Sequence, residues 1–327
     1  MQNKTALRIL LIRLGSLGDL VLVMPLIKAI REKYPDSVID LIVKKEFAAL
    51  TTLFPGITNV IPFDVEQERL SDVRKKLESS RYTHVLDLHS NLRSRALRKI
   101  RGARKYVVNK RTFKRWVLVK LKINLLKSEP DVIGRYFETV KALDIVDTGE
   151  APSFDISPVN ADSKIVAICP GAKHKNKQWL PEYFSSVAKD LTNRGYMIEF
   201  FGSESEKPIA EEIASSLPPD SYRNRCGIIP LEEVPQELSR VSIAITNDSG
   251  LMHLASASGI KIISMFGPTV REFGFYPRSK SATVLENTEL NCRPCTTIGL
   301  DYCPRVHFKC MKDVNPLQVI SKIELTL

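Results

Sequence analysis

Apolar positions along the chain fall into short runs separated by amphipathic stretches. LRILLIR (7–13), VIDLIV (38–43), NVIPF (59–63) and YTHVLDL (82–88) are runs of strand length. Between them, residues 20–33 and 66–79 carry apolar positions at helical spacing. This alternation predicts βαβ units and therefore a parallel sheet covered on both faces. The segment 147–163, DTGEAPSFDISPVNADS, breaks the pattern and reads as a linker. The alternation then restarts, with strands predicted at 164–169, 196–201, 241–246 and 261–266 and helices at 181–194, 204–217, 249–258 and 315–325. Pro181 suits a helical first turn, and Gly259 lies just beyond a helix end. Two doubly wound domains are expected, 1–155 and 156–327. Ligands of such sheets bind beyond the carboxyl ends of the strands, here loops 14–19, 170–180, 202–206, 247–250 and 267–271.

With 327 residues, 43% hydrophobic and 26% charged, the chain has room for two cores. No apolar run reaches the ~18–20 residues that span a bilayer. The N-terminus shows no apolar stretch leading to a small-residue cleavage site, so a cytoplasmic protein is expected. In that compartment the six cysteines are thiols or metal ligands rather than disulfides. Cys292, Cys295, Cys303 and Cys310 are spaced C-x2-C-x7-C-x6-C, and only the first pair has metal-ligand spacing. Reduced packing cysteines are the preferred reading, a structural zinc the alternative.

The net charge of +11 is unevenly spread: no acid stands between Asp87 and Glu129, while fourteen lysines and arginines run from Arg93 to Lys127. Such a block suits a polyanionic partner. Leu118, Val119, Leu121, Ile123, Leu125 and Leu126 interleave with Lys114, Arg115, Lys120, Lys122 and Lys127, beside Trp116. That mixture fits an anionic membrane interface better than a nucleic-acid groove.

The chemistry-bearing residues fall on the strand-end loops. LGSLGD (14–19) has two glycines between strand and helix but no dinucleotide spacing, and it carries Asp19, which would repel a phosphate. Asp19 on the plainest reading caps the helix, which leaves open what the flexible Gly15, Ser16 and Gly18 beside it are for. Loop 170–180 brings Lys173, Lys175 and Lys177 ahead of a helix, an anion-binding arrangement. In GSESE (202–206), Glu206 falls in a first helical turn, where it complements the dipole or accepts from ribose hydroxyls. NDSG (247–250) offers Asp248 or Ser249 as a cap and Gly250 as a point of close approach, with His253 one turn further on. GPT (267–269) adds a hydroxyl at the same edge.

RLGSLGDLVLVMPLIKAI, PGAKHKNKQW, FGSESE, TNDSGLMHLASA and FGPT, in this order from about Leu7 through the cysteine segment, resemble the motif series of glycosyltransferase family nine, the ADP-heptose:lipopolysaccharide heptosyltransferases. The G-D-x5-P and D-[ST]-G-x-x-H patterns are the most specific parts. The resemblance implies a GT-B fold, two Rossmann-like domains facing a central cleft, with the acceptor on the N-terminal one and the sugar nucleotide on the C-terminal one. It implies inverting transfer without a metal cofactor. It makes Asp19 the general base, Lys177 a contact of the diphosphate, Glu206 of the ribose and Asp248 of the donor sugar, with Ser249 and Gly250 near phosphate and His253 close by. Ala172 and Lys173 stand where the family often carries hydroxyl residues, so Lys173 adds a cation there. The cysteine segment also occurs in many members.

The expected activity is transfer of heptose from ADP-heptose to the inner core, Kdo–lipid A or heptosyl-Kdo, of lipopolysaccharide. The partners would be a phosphorylated lipid-linked acceptor and, through residues 93–127, the anionic inner face of the cytoplasmic membrane, with no nucleic acid. The alternatives are the same fold with another nucleotide sugar or acceptor, a non-catalytic nucleotide binder and, last, a basic nucleic-acid-binding protein.

Overall fold

The computed structural model describes residues 7–157 and 163–325, so part of the expected linker, 158–162, lies outside the described residues. The chain forms two compact units: Met1–Thr112 with Pro130–Asp155, and Phe113–Glu129 with Ile156–Leu327. The stretch 113–129 thus belongs with the second unit, where the sequence pattern left it in the first.

The first unit is a five-stranded parallel sheet of β1 (Arg8–Ile12), β2 (Val38–Lys44), β3 (Asn59–Phe63), β4 (His84–Asp87) and β5 (Arg104–Val107), in the order β3-β2-β1-β4-β5. Ile9, Leu10, Leu11 and Ile12 of the central strand are fully buried, as the continuous apolar run demands. The chain builds outward from β1 to β3, then returns beside β1 as β4. That reversal is a topological switch point between β1 and β4. The helix expected over 20–33 is two helices, Leu17–Val21 and Met24–Lys33. The break falls just before Pro25, which lacks the N–H a continuing helix needs but fits the first turn of a new one.

The second unit is a six-stranded parallel sheet of β6 (Ile165–Cys169), β7 (Met197–Phe200), β8 (Tyr222–Asn224), β9 (Ile243–Asn247), β10 (Lys261–Met265) and β11 (Ala282–Leu285), ordered β11-β10-β9-β6-β7-β8. Its switch point lies between β6 and β9. Trp179 anchors the loop after β6: it is fully buried, packs edge-on against Phe184 at 4.9 Å between centroids, and donates its indole N–H to the Val314 carbonyl at 2.8 Å. The helix Thr112–Leu121 and the chain after it are fixed to this unit by long-range contacts. Leu118 and Leu126 share a buried cluster with Phe273, the Arg115 guanidinium stands 4.8 Å over the Phe273 ring, and Lys122 donates to the carbonyls of Cys292 and Pro294 at 2.9 and 2.6 Å.

Candidate active site

Each unit holds an ion pair at its switch point. In the first, β1 ends at Ile12 and the next residue, Arg13, is buried. Its guanidinium donates to the Leu88 carbonyl beyond β4 at 2.6 Å and pairs with the Asp19 carboxylate. Ser16, exposed at the N-cap position of helix Leu17–Val21, donates its hydroxyl to Asp19 Oδ2 at 2.8 Å. Asp19 is therefore the third residue of the helix rather than its cap, and Arg13 and Ser16 hold its carboxylate, which remains 19% exposed. Tyr136, buried, donates to the Asp19 carbonyl at 3.4 Å. Burial opposes the Arg13 cation, but Asp19, Tyr136 and Asp87 together outweigh it, and the guanidinium is held more firmly protonated than usual.

Two features beside Asp19 were not legible from motifs. Asp87, fully buried at the end of β4, accepts from the Ser90 N–H at 2.7 Å, the Ser94 hydroxyl at 3.0 Å and Arg98 at 2.9 Å, which sets the course of the 88–91 turn. That turn carries His89. Burial first, then the Arg13 and Lys110 cations, push its imidazole down to about 4, so it is neutral at pH 7. Gly15 is buried, and a methyl group on it would stand 3.0 Å from the Phe47 ring, so that ring already fills the space its missing side chain leaves. Gly18 is buried in the first helical turn.

In the second unit the loops after β6, β7, β9 and β10 converge as the sheet order requires. Lys177 ends a short 3-10 turn, Lys175–Lys177, and its ammonium pairs with Asp248 at 2.6 Å. Asp248, 6% exposed, also accepts from the Thr269 hydroxyl at 2.7 Å. The two loops at the switch point are tied further by Asn247, which accepts from the Trp179 N–H at 2.9 Å and donates to the Pro170 carbonyl at 2.7 Å. Ser249 caps the helix Gly250–Ala257 by accepting from the Met252 N–H at 3.4 Å, and Gly250 is that helix's first residue. His253 is buried one turn further on. Lys173 and Lys175 are exposed, so of the three loop lysines it is Lys177 that the fold binds to Asp248.

Glu206 fills the structural role the sequence allowed it. Its Oε2 accepts from the Ser203 N–H at 2.7 Å and hydroxyl at 3.0 Å, a capping box ahead of the helix Lys207–Ala214. Its Oε1 lies over the loop after β6. A methyl group on Gly171 would stand 1.5 Å from that oxygen, so only glycine lets the carboxylate close there.

Arg293 was not legible as a site residue. Buried, it donates to the carbonyls of Thr269 at 2.8 Å and Phe266 at 3.3 Å, to those of Gly267 and Asn287, and to Glu286 Oε2 at 2.6 Å. It fixes the 266–269 turn that aims Thr269 at Asp248. The signal available in the sequence was only an arginine inside the cysteine segment.

All six cysteines are reduced. Cys292 Sγ comes within 3.9 Å of His307 Nε2, but among the described residues no three His, Cys, Asp or Glu side chains stand close enough together to hold a metal ion. Burial raises the Cys295 and Cys310 thiols, and neighbouring thiols of the same segment add to the rise. Among the described residues no helix is long and apolar enough to cross a membrane.

Residues 70–302 match the sequence pattern of glycosyltransferase family 9 (heptosyltransferase). The lipooligosaccharide heptosyltransferase 2 of Campylobacter jejuni is 26% identical over 314 residues, 94% of each chain. Among solved structures, the Escherichia coli ADP-heptose lipopolysaccharide heptosyltransferase II superposes with a TM-score of 0.78 at 21% identity, over 98% of both chains. The iron-containing dodecameric glycosyltransferase TibC from enterotoxigenic E. coli has a TM-score of 0.64 at 18% identity, covering all of this chain and 77% of that one. These likenesses identify two parallel doubly wound sheets as a GT-B architecture.

Proposed function

The chain belongs to glycosyltransferase family 9, and on that footing we propose that it transfers heptose from ADP-heptose to the inner core of lipopolysaccharide, on Kdo–lipid A or heptosyl-Kdo. The observation that carries the reading is the Lys177–Asp248–Thr269 set at the switch point of the second unit, with Glu206 closing over Gly171 beside it. A cation, a capped helix N-terminus and a carboxylate within one loop cluster make a cradle for a nucleoside diphosphate. In this reading Lys177 neutralises the departing diphosphate, helped by the exposed Lys173. Ser249 and the N–H groups from Gly250 onward face phosphate, with His253 behind them. Glu206 Oε1 accepts from the ribose, and Asp248 orients the sugar. Fixed positive potential where leaving-group charge grows is the electrostatic contribution such a transfer needs, and we read it as supplied by these groups rather than by a metal.

Asp19 takes the acceptor hydroxyl proton as the new glycosidic bond forms on the face opposite the departing ADP. Arg13 and Ser16 keep its carboxylate oriented for that step. The acceptor is a phosphorylated lipid-linked oligosaccharide, and the enzyme works at the inner face of the cytoplasmic membrane. The same fold with another nucleotide sugar is the reading to eliminate. A thermal-shift panel of ADP-, UDP-, GDP- and CMP-sugars does so: ADP-heptose is expected to raise the melting temperature most. Stabilisation by a different nucleotide, with none by ADP-heptose, would overturn the donor assignment.

A further inference from the structure

The helix Thr112–Leu121 has one face accounted for. Val117 and Leu118 are buried, and Leu118, Arg115 and Lys122 bind it to Phe273 and the 292–297 segment of its own unit. The remaining face is open and carries large apolar side chains. Phe113 is 70% exposed and Trp116 49%, their rings stacked at 6.3 Å between centroids, and they lie three residues apart on one side of the helix. At the last helical residue and beyond it the chain exposes Leu121, Ile123 and Leu125 as well. Five large apolar side chains within 113–125 are exposed while the segment beneath them is firmly anchored. So many exposed large apolar side chains gathered within one short segment mark an interaction surface.

The surrounding charge selects the partner. Lys120 and Lys127 are exposed beside the patch, and the nearest acid in sequence, Glu129, is taken up by Lys114. We propose that residues 113–125 form an interfacial anchor that docks the second unit on an anionic phospholipid surface, with Phe113, Trp116, Leu121, Ile123 and Leu125 inserted among the acyl chains and the lysines at headgroup level. Aromatic side chains at the polar boundary, aliphatic ones below and lysines reaching back to phosphate are what such an interface accommodates. Leu121, Ile123 and Leu125 offer a nucleic acid neither stacking planes nor base-edge hydrogen bonds, which favours lipid over RNA or DNA. The anchor serves the lipid-linked acceptor proposed above and rests on that reading. Vesicle binding is measured with neither donor nor acceptor present, so a chain that transfers no heptose still answers the question.

The test is co-sedimentation of the full chain with vesicles of phosphatidylcholine alone or mixed with phosphatidylglycerol. Binding is expected to the mixed vesicles, to be weaker on phosphatidylcholine alone, and to fall as salt rises. Of the two tryptophans, Trp179 is already fully buried, so a blue shift of emission on vesicle binding reports Trp116. Phe113→Ser with Trp116→Ser should weaken partitioning about tenfold or more. Ile123→Ser with Leu125→Ser, outside the helix, should weaken it in the same direction while melting at the wild-type temperature. Undiminished binding by both variants would overturn the proposal. So would absence of the blue shift, binding to RNA without binding to vesicles, or a change in oligomeric state as the variants' only effect.

Discussion

Replacing Lys177 by methionine leaves a carboxylate in the second unit without its cation. Asp248 is 6% exposed and has two partners, the Lys177 ammonium at 2.6 Å and the Thr269 hydroxyl at 2.7 Å. At an effective dielectric of ~20 two charges at this separation attract by roughly 6 kcal/mol, most of it offset by the cost of removing both from water. What the substitution exposes is that cost for Asp248 alone. Removing one member of a buried pair costs ~3–5 kcal/mol. Lys177 is 14% exposed and Thr269 still donates, which places Lys177→Met near or just below the low end, about 2–3 kcal/mol. For a unit of this size that lowers the melting temperature by roughly 5–10 °C. The reporter is Trp179 fluorescence, because its backbone N–H is bonded to Asn247 Oδ1, next to Asp248. The decisive comparison is Lys177→Met with Asp248→Asn, which removes both charges and should recover at least half of the loss. A single variant that melts with the wild type, or a double variant destabilised by the sum of the two single changes, would refute the claim that the pair is a buried, mutually compensated unit.

Other outcomes follow from the same geometry. Gly171→Ala should displace Glu206, since the new methyl would stand 1.5 Å from its Oε1; a stability loss of about 1–3 kcal/mol and weaker ADP binding by calorimetry are expected. Arg293→Met strips the 266–269 turn of its brace and should raise the KM for the donor more than it lowers kcat, as a positioning residue does. His89, held down to about 4 from an ordinary 6.5, binds its proton less readily when folded than when unfolded. Its neutral form is accommodated at pH above 6.5, and stability is lost as the pH falls from 6.5 toward 4. The loss, discounted for partial exposure, is about 1–2 kcal/mol, and denaturant titrations of His89→Gln across that window should show a shallower fall than wild type.

The central strands could be read because both their faces are covered. IVAIC and RILLI have no solvent side and so appear as unbroken apolar runs. Of the edge strands, NVIPF of β3 could be read, but RKYV of β5 and YRN of β8, which need hydrogen bonds to one neighbour only and bury little, could not. Nor could local pattern show that 113–129 joins the second unit, because its attachments, Arg115 to Phe273 and Lys122 to Cys292, are separated by more than 150 positions. The site divides in the same way. Asp19, Lys177, Glu206 and Asp248 were legible because they sit in fixed positions after strands. Of their supports, Arg293 and the His89 turn were not, because what makes them matter is a fold-dependent contact. Only the hydroxyl of GPT was visible in advance. The cysteine spacing, conversely, left packing cysteines and a structural zinc both open, and among the described residues no three metal-ligating side chains stand close enough together to hold an ion.

The most direct measurement is transfer from ADP-heptose to Kdo–lipid A or heptosyl-Kdo, followed by mass of the acceptor, with wild type and Asp19→Asn compared at saturating donor. The variant keeps a hydrogen-bonding group for Arg13 and Ser16 but cannot take a proton. Wild type should add one heptose and release ADP, and Asp19→Asn should bind ADP as tightly while turning over about 10²–10⁴-fold more slowly. Wild-type protein that moves no heptose to either acceptor would contradict the function, and an Asp19→Asn enzyme with near wild-type turnover would contradict the base.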